Sequence, residues 1–262
     1  MTNTWRIFTI GGLISYRALF NWMSPTYYMP TMLAGPVFQI LFFTYLGRFA
    51  ATESDAFFVI GNGIQVCAMS AVFGMALTVG GERWTQTLGS LLATPANRAA
   101  LFLGRALPNI ANGVFVSAFG LVVASVMLGY RPAPSSVPEI AILVVLCTVT
   151  CSAFGLAVGA LGLRFRDVFM IANPAYFLML LFCGVNVPVD RLPGWMATIG
   201  SGLPLTHGIA AAREVAAGAS LSSVSGLIGK ELEVGLAWAV GSYLLLRFFE
   251  AEGRRRATLE TM

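Results

Sequence analysis

A chain of 262 residues that is 57% hydrophobic and only 11% charged is not an ordinary soluble domain, in which about a quarter of the residues carry charge. The net charge of +4 does not point to nucleic acid, because the basic run Arg254-Arg255-Arg256 follows an apolar segment and suits an anionic lipid surface. What remains is an all-α protein of the membrane, read as one domain over residues 1–262, with no internal repeat and no Ser- or Pro-rich linker.

Residues 1–27 predict an interfacial helix. Trp5, Phe8, Gly12, Tyr16, Leu19 and Met23 make one stripe with Arg6 and Arg17 on its flank, although Ile7, Ile10 and Ile14 intrude on the polar face. No small-residue cleavage motif follows, so the segment is expected to stay attached rather than act as a signal peptide. Six apolar runs occupy residues 28–249, at 28–47, 57–79, 106–129, 139–161, 168–187 and 226–249. Each is near the length of about 20 residues that a helix needs to cross a hydrocarbon core of roughly 30 Å. In the sixth, Lys230, Glu231 and Glu233 fall in the first turns, so that helix must start among headgroups or be shielded by protein. Residues 250–262 form a basic tail.

Two connections are long. In residues 80–105, Trp84, Leu88, Leu91 and Leu92 follow the spacing of an amphipathic helix that Thr94-Pro95 stops. It either rests on the headgroups or receives a soluble partner. Residues 187–226 are rich in Gly and Pro. Leu192, Trp195, Met196 and Ile199 give one short apolar face, and a break at residues 200–204 precedes a second helical piece from Thr206 to about Ala217. Neither piece can span, so the pair is expected to dip into the membrane or lie along it.

Orientation follows from the cations. With both termini cytoplasmic, the inner segments hold Arg6, Arg17, Arg83, Arg98, Arg105, Arg164, Arg166, Arg247, Arg254, Arg255 and Arg256. The outer ones hold Arg48, Arg131, Arg191, Arg213 and Lys230, which satisfies the positive-inside rule.

Several chemistries have no residues to carry them. No phosphate-cradling G-x-x-x-x-G-K-[ST] sequence exists, and the only lysine, Lys230, precedes Glu231. His207 is the only histidine, which excludes a multi-histidine metal site and leaves catalysis resting on one loop residue. Cys67, Cys147, Cys151 and Cys183 fall in apolar runs and read as packing residues. Glu139, Asp167, Glu231, Glu233 and Glu250 all read as lying near helix ends, away from the midplane where proton-driven carriers keep acids. The runs do hold neutral polar residues: Gln39, Asn62, Gln65, Asn109, Asn112, Asn173 and Asn186. Each has a plain reading as a packing hydrogen bond between helices. Gly155 and Gly159, and the stripe Gly113, Ser117 and Gly120, permit close helix contact within the chain or between chains.

Taken together, the residues resemble the permease subunits of type 2 ABC exporters, in particular the drug, antibiotic and lipo-oligosaccharide branch. Glu82-Arg83, then Thr87-Leu88, then Leu92-Ala93-Thr94-Pro95 look like the coupling segment between spans two and three. Residues 184–195, beginning Gly184-Val185-Asn186, look like the outer motif after span five, and Leu203-Pro204-Leu205-Thr206-His207 like the sequence that follows it. The resemblance implies six transmembrane helices, an N-terminal interfacial helix, a cytoplasmic coupling helix and an extracytoplasmic re-entrant hairpin, in the cytoplasmic membrane. Carried onto this chain, Glu82, Arg83, Thr87 and Leu88 would dock an ATP-binding subunit, while Asn186, Pro188, Leu192, Trp195, Pro204 and His207 would belong to the hairpin. Gln39, Asn62, Gln65 and Asn173 are the candidates for a substrate pathway. The implied partners are a P-loop ATP-binding subunit that holds ATP and Mg, a second permease chain and membrane lipid, with no cofactor or metal in this chain and no nucleic acid. The implied cargo is an amphipathic or hydrophobic compound such as a drug, antibiotic, lipid or glycolipid. The competing classes are an ATP-independent carrier or channel, and a membrane-embedded enzyme or scaffold.

Overall fold

The computed structural model describes residues 29–84, 98–162 and 167–256, and within them regular structure is helical. A π-helical turn, Met29–Ala34, leads into α1 (Gly35–Ala50). Helix α2 (Asp55–Ala68) runs through a second π segment, Met69–Phe73, into α3 (Gly74–Trp84), and α4 covers Arg98–Leu128. Then come α5 (Ser136–Gly162), α6 (Phe169–Phe182), a 3-10 turn Val189–Arg191, the short helices α7 (Gly194–Ser201) and α8 (Thr206–Ala216), and α9 (Ser225–Arg256). The predicted interfacial helix, together with Thr87 and Leu88 of the predicted coupling helix, lies outside the described residues. Glu82 and Arg83 fall on the last turn of α3.

Local chemistry sets several boundaries. Ser54 caps α2 by accepting the Phe57 N–H at 3.3 Å, and Asp55 puts a negative charge against the helix N-terminus. At the end of α1 the chain turns through Ala51 in the left-handed region, whose N–H bonds back to Arg48 and Gly47.

Five helical stretches are long and apolar enough to cross a membrane: Met32–Ala50, Asp55–Val79, Gly104–Leu128, Ser136–Gly162 and Ser225–Phe249. They coincide with five of the six predicted runs. The other run contains α6, which has only 14 residues. At 1.5 Å per residue it reaches about 21 Å, short of a hydrocarbon core of about 30 Å.

Helix α5 is apolar around its whole circumference, the pattern of a helix surrounded by others, and it packs against α2, α3, α4, α8 and α9. Ile64, Leu143, Cys147, Cys151, Met179, Leu205 and Ile209 are fully buried in the core around it. All four cysteines are reduced and buried there, and no metal-binding group of three or more donors forms among the described residues.

The small residues have partners inside the chain. A Cβ on Gly155 would stand 2.7 Å from the Val72 Cα, and one on Gly159 would stand 3.0 Å from the Ala76 Cα. The glycine pair of α5 thus lets the π segment and α3 approach backbone to backbone. Ser117 of the second stripe donates to the Gly63 carbonyl at 2.6 Å. The outward faces carry Phe38, Phe42 and Phe49 on α1, Val122 and Val126 on α4, and Leu236, Leu244 and Phe248 on α9, all exposed. Water does not tolerate so much apolar surface; lipid does.

Gly155→Ala is expected to destabilise the fold by about 1–3 kcal/mol, because its new methyl must displace backbone rather than a flexible side chain. Gly226→Ala, where nothing lies within 4 Å, should be neutral or better. Thermal unfolding of the two purified variants in detergent checks the difference.

Candidate functional site

At one end of the bundle the chain leaves α6, turns, and folds α7 and α8 into a helical hairpin before entering α9. The two short helices fall where sequence reading placed them, but they differ in setting. Helix α7 is open, with Trp195 and Ile199 exposed and Trp195 edge-on to Phe182. Helix α8 is part of the core, with Gly208, Ile209, Ala211, Ala212 and Val215 buried against α2, α5 and α9. Of the other predicted hairpin residues, Pro188 precedes the 3-10 turn, Leu192 is half-buried at its end, Pro204 is buried at the break and His207 is half-buried on the first turn of α8.

A broken helix exposes backbone groups, and two charged side chains satisfy them. The Arg213 guanidinium donates to the carbonyls of Gly184 and Val185, each at 2.8 Å, and to that of Phe57 at 3.2 Å, while lying 3.5 Å over the Phe57 ring. It joins α8 to the tail of α6 and the start of α2. Gly61 makes room, since a Cβ there would overlap the guanidinium and the Val185 carbonyl. On the other side Glu231, fully buried, accepts from the Leu205 N–H at 2.9 Å, the Gly208 N–H at 3.0 Å and the Thr150 hydroxyl at 2.7 Å. The carboxylate therefore caps the N-terminus of α8 from a neighbouring helix, where the helix dipole favours negative charge. Trp238 adds a bond from its indole N–H to the Gly202 carbonyl at 2.9 Å.

Glu231 corrects one sequence reading. It is near the start of α9, as expected, but its partner Thr150 stands halfway along α5, so the carboxylate lies deep in the bundle. A deep acid is present after all. It is shielded by protein rather than by headgroups, and its absence can no longer be used against a proton-driven carrier.

Beside the hairpin the structure joins two groups of residues that sequence reading kept apart. The Tyr176 hydroxyl on α6 donates to the Gln39 Oε1 on α1 at 2.8 Å, and Gln39 Nε2 donates to the Asn62 Oδ1 on α2 at 3.3 Å. Asn62, fully buried, donates from Nδ2 to the Asn186 Oδ1 in the hairpin approach at 2.8 Å. Gln65 follows Asn62 at i+3 on the same helix, fully buried near the Tyr176 hydroxyl, and its amide makes no hydrogen bond of full geometry among the described residues. Asn173 does not join this network: it is exposed on α6 beside Met170 and Phe177.

Sequence reading missed Tyr176, Arg213 and Glu231 as structural partners. A tyrosine in an apolar run passes for an aromatic packing residue, and Arg213 counted only as a loop charge. Glu231 stood as a flaw in a span, which was the one available signal. The five cations expected on the outside, Arg48, Arg131, Arg191, Arg213 and Lys230, all fall in segments near the hairpin end. Two of them are paired there, Arg48 with Asp55 at 2.5 Å and Arg191 with Glu53 at 2.9 Å.

Long apolar helices around a buried central one, with a broken-helix hairpin at one end and neutral polar groups between helices, define a multi-pass membrane protein. Residues 10–216 match the family described as ABC-2 type transporter, and since this is most of the chain, the protein belongs to that family. It is accordingly a transporter's membrane component, and the family works in general with an ATP-binding subunit. Among curated proteins, none matches the chain significantly.

Arg213→Lys leaves the Gly184, Val185 and Phe57 carbonyls without a planar fork and is expected to cost about 2–4 kcal/mol of stability. Gly61→Ala should act in the same direction by displacing the guanidinium. Unfolding midpoints of the detergent-purified chain, compared with Arg191→Lys at an exposed pair, provide the check.

Proposed function

We propose that this chain is the permease subunit of an ATP-driven exporter, moving an amphipathic or hydrophobic compound across the cytoplasmic membrane. Membership of the ABC-2 type transporter family over residues 10–216 is the observation that carries the reading. In this account α6 and its flanking turns complete a sixth crossing, both termini are cytoplasmic, and the hairpin faces outside. ATP and Mg belong to a separate P-loop subunit, and a second permease chain, identical or related, completes the transporter.

Energy enters through the segment after α3. Glu82, Arg83, Thr87 and Leu88 form the docking surface, and closure of two ATP-binding subunits on it shifts the permease pair between inward-open and outward-open arrangements by favouring one of them. The pathway runs past Gln39, Asn62 and Gln65, and we include Tyr176 because its hydroxyl bonds to Gln39. Their uncharged amides and hydroxyl, set among apolar helices, suit a cargo with a hydrophobic body and neutral hydrogen-bonding groups. The amide of Gln65 supports this, since a buried polar group without a full hydrogen bond costs about 1–3 kcal/mol that a ligand hydroxyl or amide would relieve. Asn173, exposed on α6, reaches the pathway only if the second chain or the cargo covers that face.

Purification of the tagged chain in mild detergent should recover a P-loop subunit, and Glu82→Ala and Leu88→Ala should lower that recovery or the ATPase rate of the complex by about tenfold, as for hot spots of an interface. A chain that purifies and transports alone would sink the exporter reading.

A further inference from the structure

The break between α7 and α8 contains a strained residue. Leu205 has φ of 85°, a region that side chains other than glycine rarely adopt, yet it is fully buried and starts α8. Such a conformation persists only where its surroundings impose it. Two bonds do so here, and both end on α9: the Leu205 N–H and, one turn on, the Gly208 N–H reach the two oxygens of Glu231. The third bond, from Thr150, fixes the carboxylate on α5.

Two of the buried thiols lie under this break. A Cβ on Gly208 would overlap the Cys147 Sγ, so the α8 backbone rests directly on that sulfur. The Cys183 Sγ donates to the Pro204 carbonyl at 3.3 Å. Cys151, one turn along α5 from Cys147, is buried in the same core, where its thiol meets that of Cys67 on α2.

We propose that Glu231 is a latch: its carboxylate holds the α7–α8 hairpin closed over α5 by pinning the strained turn at Leu205, and release of those two N–H bonds opens the hairpin about that turn and uncovers Cys147 and Cys183. Glu231 is thereby a positioning residue that acts on the hairpin rather than on cargo. The geometry of the latch stands without any assumption about transport; only the purpose of opening, passage of cargo at this end, rests on the exporter reading.

The latch can be tested without transport or ATP. Full-length chains retaining a single cysteine, Cys147, Cys183 or Cys151, with the other three changed to Ala, are placed in lipid nanodiscs and reacted with a water-soluble maleimide. With Glu231 present all three thiols should react slowly. Glu231→Gln, which keeps shape but puts a donor where an N–H needs an acceptor, should raise the rates of Cys147 and Cys183 about tenfold or more and leave Cys151 unchanged. Should that variant fail to fold, Thr150→Val removes one bond from the carboxylate and should move the same two reporters in the same direction by less. Equal acceleration of all three thiols would mean general loosening and would overturn the latch, as would unchanged rates at Cys147 and Cys183. Neither result bears on whether an ATP-binding subunit is recovered with the chain, so failure of the latch and failure of the exporter reading are separate outcomes.

Discussion

A helix that breaks inside an apolar bundle leaves N–H and C=O groups that neither lipid nor hydrocarbon side chains can bond. Here the break between α6 and α8 is closed by one cation and one anion. Arg213 takes the carbonyls of Gly184, Val185 and Phe57, and Glu231 takes the N–H groups of Leu205 and Gly208. Each ion is expensive to bury and acceptable only because several oriented backbone groups surround it. The hairpin thus has no independent existence: its two ends are fixed by side chains that approach from opposite sides of the bundle. Arg213 is its own, while Glu231 belongs to α9.

That arrangement explains why the neutral polar network lies where it does. Fixing Gly184 and Val185 also fixes Asn186, which can then receive the Asn62 amide, and through Gln39 the chain of bonds reaches Tyr176 on α6. Four separate stretches of sequence therefore meet at one level of the bundle. The packing beneath is set by a different device, the glycine pair of α5 against Val72 and Ala76, which brings the central helix close enough to its neighbours for these short side chains to touch.

Much of this architecture could be read from the residues. Apolar length located the long helices, because the bilayer imposes one physical scale on every crossing. Gly and Pro between residues 184 and 204 marked the hairpin, because only a short helix fits between such breaks. Side-chain roles that depend on distant backbone were not legible. Nothing near Glu231 in sequence announces the amides of Leu205 and Gly208, and nothing near Arg213 announces the carbonyl of Phe57, 156 residues away. Gln39, Asn62 and Asn186 were visible as polar residues in apolar runs, but their meeting depends on helix rotation, and the same uncertainty hid that Asn173 points elsewhere. The glycine stripes were visible too, although whether they served contacts within or between chains required the backbone positions.

The π segment Met69–Phe73 within the second crossing sets the rotational phase of everything beyond it. A π turn holds one residue more than an α turn, so it offsets the angular positions of Gly74 to Trp84 relative to Asp55 to Ala68 by about 100°. If the same residues ran on as regular α, with none removed, Ala76 and Val79 would swing off the face that meets Gly159. The crossing is consequently tuned in phase at its middle. One surplus residue allows the half that carries Asn62 and the half that leads to Glu82 to face different neighbours within one continuous helical rod.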